Sequence, residues 1–141
     1  MKIIKDCWNV IGVSECIFGA HLFEKSIAKI YVAKGLDVGP EMSRNFFQKD
    51  EEGFVGHCLL VFHGVRFFDF SVNSYEMHDG NPIWHDPVVF HYKGLAPDTQ
   101  KEGQIKKYSL GGGLSGFLAY VAGEIEAENF ELHILDEHES G

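Results

Sequence analysis

Basic residues are scarce in this chain of 141 residues: 12 lysines and arginines stand against 21 aspartates and glutamates, for a net charge of -9. So acidic a chain repels phosphate backbones, which argues against nucleic-acid binding. Cysteine is sparse as well. Cys7, Cys16 and Cys58 are odd in number and form no Cys-x-x-Cys pair, so neither a disulfide framework nor a thiolate-rich zinc site is indicated. Each reads as a small buried hydrophobe in a reducing compartment. The four prolines, Pro40, Pro82, Pro87 and Pro97, mark no polar linker, and one domain over residues 1–141 is expected. No apolar stretch reaches the ~18 residues of a membrane helix. Asp6, Asn9 and Glu15 interrupt any signal-peptide core behind Lys2 and Lys5. The expected location is therefore the cytoplasm, with no membrane partner.

Catalytic spacing is also missing. The eight histidines are His21, His57, His63, His78, His85, His91, His133 and His138, with no His-x-His or His-Glu-x-x-His among them. His57 and His63, six residues apart on one strand, would lie about 20 Å from each other. Pro87 breaks the spacing of His85, Asp86 and His91. Cys58 and His57 are adjacent, so on a strand they point to opposite faces. Ser115 lacks the Gly-x-Ser-x-Gly elbow. Gly111, Gly112 and Gly113 are followed by no Lys-Ser or Lys-Thr and read as a turn or bulge. No catalytic residue, metal site or cofactor is assigned.

What is present is period-two patterning. Val55 to Phe70 holds two apolar, β-prone runs on either side of His63 and Gly64, which predicts a hairpin turn there. Pro87 to Tyr92, Tyr108 to Leu110 and Phe130 to Ile134 are further strands. Met77 to Asp86 reads as a loop rich in Asp, Gly, Asn and Pro. Two segments stay open between helix and strand. In 21–33, Phe23, Ile27, Ile30 and Tyr31 make a helical stripe with Gly35 as its cap, yet Ile30, Tyr31 and Val32 favour strand. In 114–127 the pattern leans to strand, because Gly123 weakens a helix interior. The expected fold is mainly β, with α+β as the alternative: a single antiparallel sheet folded as a sandwich or open barrel, with room for one helix.

Charge is distributed unevenly. From Glu124 to the end, seven acids occur in 18 residues with no lysine or arginine. On a strand, Glu124, Glu126 and Glu128 would share one face. With Glu131 they form the candidate surface for a basic protein partner. From about residue 136 the chain reads as an acidic, solvated tail. In size, acidity and the run Glu124-Ile-Glu-Ala-Glu, the chain resembles the immunity proteins of bacterial toxin systems. That resemblance implies a non-enzymatic domain that binds and neutralises a basic, nuclease-like toxin inside the producing cell. The competing reading is a small β-barrel ligand binder or metal-assisted enzyme, whose Phe-rich strands wall a pocket lined by His57, His85 and His91.

Overall fold

The computed structural model describes residues 1–94 and 105–139. The chain is mainly β. Its strands are β1 (Lys2–Lys5), β2 (Ile11–Gly12), β3 (Cys16–Glu24), β4 (Ile27–Lys34), β5 (Asp37–Val38), β6 (Gln48–Lys49), β7 (Val55–Gly56) and β8 (Cys58–His63). They continue as β9 (Phe67–His78), β10 (Asn81–Trp84), β11 (Val88–Lys93), β12 (Lys106–Leu114), β13 (Phe117–Ala127) and β14 (Asn129–Ile134). Among the described residues helix is confined to α1 (Pro40–Ser43) and one 3-10 turn, Trp8–Val10. Pro97, one of the four prolines read for linkers, lies outside the described residues.

One sheet dominates, in the order β1-β14-β8-β4-β3-β12-β13-β9-β10, with β11 also paired to β9. Its neighbours run antiparallel except at β3 and β12, which meet parallel at Cys16–Phe18 and Gly112–Leu114. The sheet does not close into a barrel. It bends at this seam so that its two halves face each other across one core. Phe18 of β3 meets Phe70 of β9, and Phe62 of β8 meets Tyr108 of β12, with ring centroids 6.5 and 5.1 Å apart. Trp8 fills the open side, its ring 5.0 Å from Tyr108 and 4.9 Å from Phe130. Phe18, Phe62, Phe68, Phe70 and Phe130 are fully buried. Each contributes about 1.5–3 kcal/mol through removal from water.

Several local expectations are corrected. Residues 21–33 are not a helix: β3 and β4 pair as a hairpin around Lys25 and Ser26, both at positive φ. Left-handed backbone at both central positions is the type I′ turn that suits twisted strands. Gly35, expected as a helix cap, instead leads out of β4 at positive φ. His63–Gly64 is not a hairpin turn, because β8 pairs with β14 and β4 while β9 pairs with β13, β10 and β11. The segment crosses from one half of the sheet to the other and buries Val65 on the way. Met77 to Asp86 is largely strand: β9 and β10 form a hairpin about Asp79 and Gly80, again both at positive φ. The glycine cluster does not end the strand at Leu110; Gly111, Gly112 and Gly113 lie within β12. By contrast, segment 114–127 is strand as its pattern leaned, in a hairpin of β12 with β13.

Candidate functional site

The four glutamates do not share one face. Glu124 sits on the outer side of β13, exposed, directly opposite Ser109 of β12 and Asp69 of β9. Asp69 in turn lies opposite His91 of β11, whose Nδ1 contacts its carboxylate. Two carboxylates therefore stand side by side across β13 and β9, an unfavourable arrangement for like charges. His91 attends to one of them. Among the described residues Glu124 forms no ion pair with lysine or arginine.

Glu126 points the same way two residues on, but it is buried. Its Oε1 accepts from Arg66 Nε at 2.8 Å and from Arg66 Nη2. Arg66 belongs to the crossover between β8 and β9, so the crossover brings a cation to a segment that has none of its own. Glu128 stands at the corner where the chain passes from β13 to β14, and its backbone N–H donates to the carbonyl of His63 at 3.0 Å. Glu131 lies round that corner, on β14 opposite Val61 and Lys5. Its Oε1 accepts from His63 Nε2 at 2.8 Å and His133 Nε2 at 3.0 Å. Hydrogen bonds from His133 and then His63 hold this carboxyl below its ordinary range.

Farther along the outer face from Glu124 lies a feature that sequence patterning missed. The far ends of β9, β10 and β13 project past the covered core. On the outer face, Asn73 opposes Tyr120, and Tyr75 opposes Trp84 with ring centroids 4.7 Å apart. Tyr120 and Trp84 are each 53% exposed, and Met77 and Leu118 are exposed beside them. Asp79–Gly80 was the available signal, since this dipeptide marks a two-residue hairpin. Treating Met77 to Asp86 as a loop concealed the strand that carries Trp84.

The histidines named for a pocket are scattered. His57 is buried in left-handed backbone at the entry to β8. Its Nε2 donates to the Asp136 carbonyl at 2.7 Å, so Nδ1 accepts from the Tyr31 hydroxyl at 2.9 Å. His85 and His91 are exposed. A cleft of about 290 Å³ runs between Asp6, Trp8, Asn9 and Tyr108, and none of these three histidines lines it. Among the described residues no group of three His, Cys, Asp or Glu side chains could hold a metal ion. Cys7, Cys16 and Cys58 are buried and unpaired, and burial pushes the Cys16 thiol up to about 12. The segment read as an acidic tail is attached at its start, where Asp136 and Glu139 lie 2.9 and 2.8 Å from the Met1 ammonium. No helix is long and apolar enough to cross a membrane among the described residues. A scan against protein-family models finds no match, and searches of curated proteins and of solved structures return no significant match.

Proposed function

We propose that the chain is a non-enzymatic protein-binding domain that docks a basic protein partner on the outer face around Glu124 and Asp69. The observation that carries this reading is the placement of Glu124: exposed, beside a second carboxylate, unpaired with lysine or arginine among the described residues, and on the outer face that farther along carries the exposed rings of Tyr120 and Trp84. Protein interfaces concentrate their energy in such aromatic anchors within a polar rim. A basic partner would relieve the repulsion between the two carboxylates while covering those rings. Glu126 contributes by fixing the end of β13 through Arg66. Glu128 and Glu131, at the corner and beyond it, add to the long-range field that steers a cation.

The resemblance to immunity proteins supports the narrower form of this reading. In it the partner is a basic, nuclease-like toxin, neutralised in the cytoplasm of the bacterium that makes it. Partners captured from the native host by the immobilised wild-type protein should be compared with those captured by a Glu124→Lys, Asp69→Asn variant. A basic protein should be retained by wild type, released as salt rises, and lost from the folded variant. Equal retention by the folded variant at low salt rejects the reading.

A further inference from the structure

β10 and β11 lie end to end along one side of β9, whose other side is occupied by β13. Among the described residues β11 pairs with β9 alone, so its other side is a sheet edge. Edge strands are usually protected by an inward charge, an internal proline, a bulge or very short length. The apolar half of β11 has none of these. Val88, Val89 and Phe90 run consecutively at 55%, 59% and 38% exposure. The register against β9 is unbroken over six residues, and Pro87 precedes the strand. Successive side chains point to opposite faces, so this edge is apolar on both sides.

We propose that β11 pairs antiparallel with β11 of a second copy of this chain, across a two-fold axis normal to the sheet. The strand selects its own copy through charge. Asp86 stands just before it and Lys93 ends it. Antiparallel self-pairing brings each lysine to the aspartate end of the other strand, where opposite charges attract. Parallel pairing would set like against like. A two-fold axis normal to the sheet preserves its faces, so Phe90 meets its own counterpart, or Val89 does. Either register keeps apolar residues opposed and forms every contact twice. A six-residue edge alone falls short of the roughly 1,200–2,000 Å² of a stable interface. Exposed Ile83, on the same margin, is therefore covered as well.

This proposal stands apart from partner docking, and the two respond oppositely to salt. Each copy carries a net charge of -9, so screening favours the dimer, whereas it weakens attraction to a basic partner. The test is sedimentation velocity of the full chain over a concentration series at low and high salt. Wild type should show a reversible dimer that tightens with salt. Val88→Lys with Val89→Lys should raise its dissociation constant about 100-fold or more with circular dichroism unchanged, since both side chains are exposed. Lys93→Glu alone should also weaken the dimer, and adding Asp86→Lys should restore it. A wild-type protein that stays monomeric at every concentration and salt overturns the proposal, as does a dimer that survives both lysine substitutions. Failure of the charge swap to restore association overturns the antiparallel arrangement.

Discussion

Arg66 Nε donates to Glu126 Oε1 at 2.8 Å, tying the β8–β9 crossover to the end of β13. The glutamate is buried and the arginine partly exposed. Loss of the arginine therefore strands a carboxylate away from water, whereas loss of the glutamate frees a cation that can turn to solvent. Arg66→Ala should cost about 2 kcal/mol and Glu126→Ala about 1 kcal/mol, after allowance for solvent at the arginine. Urea denaturation measures both. Equal costs would mean that burial of the glutamate is not the deciding factor.

His21 of β3 sits among the rings of Phe68, Phe70, Phe90 and Tyr92, with Nε2 2.9 Å from the Tyr92 hydroxyl. Burial holds it below its ordinary value of 6.5. The unfolded chain therefore takes up this proton first as pH falls. Stability should decline from about pH 6.5 through the lower folded value and then level off. A His21→Gln variant should show a smaller slope in that window. Unfolding free energies of the two proteins across it decide the matter, and identical slopes would count against the imidazole as the cause.

Glu131 acts at lower pH. Its carboxyl is held below 4.5 by His133 and His63, so its contribution is complete above about pH 4.5 and is lost as pH falls through the folded value. Glu131→Gln should be less stable than wild type at neutral pH, and the two should converge in acid. A gap that stays constant with pH would assign the effect to packing.

Gly112 of β12 lies where a Cβ would come 1.9 Å from the carbonyl oxygen of Cys16. Gly116, in the β12–β13 turn, has positive φ but open space around it. Gly112→Ala should cost about 3 kcal/mol or more and open the seam between β3 and β12, whereas Gly116→Ala should cost about 1 kcal/mol. Thermal unfolding distinguishes them. Similar melting temperatures would show that β12 can shift away from β3.

β8 and β14 were legible in sequence because their apolar faces follow from burial; β11 also lies where its β-prone run placed it, although its side chains are mostly exposed. The pairing was not. His63 and Gly64 look like a hairpin locally, yet each flanking strand finds its partners elsewhere in the chain. Residues 21–33 fit two periods, and the choice rests on Lys25 and Ser26 adopting left-handed backbone, which their types do not announce. At the candidate site, the excess of acid was visible, but the neutraliser of Glu126 arrives from Arg66 in another segment. Tyr75, Trp84 and Tyr120 come together only through the registers of β9 with β10 and β13. A linear reading of 124–131 thus found the charge and missed the aromatic surface farther along the same face.

The seam between β3 and β12 joins the two halves of the sheet through three residue pairs drawn from opposite ends of the chain. The chain also changes halves at Gly64 and again at Glu128, so the half built from β9 to β13 is one continuous stretch, and the other half is assembled from the segments on either side of it. Loop-closure entropy must be met before such distant pairings return any stabilisation. Refolding should accordingly be slow for a domain of this size, in the millisecond-to-second range typical of non-local β topologies. The hairpins β3–β4, β9–β10 and β12–β13 can form early from local sequence, and closure of the seam is left as the late event.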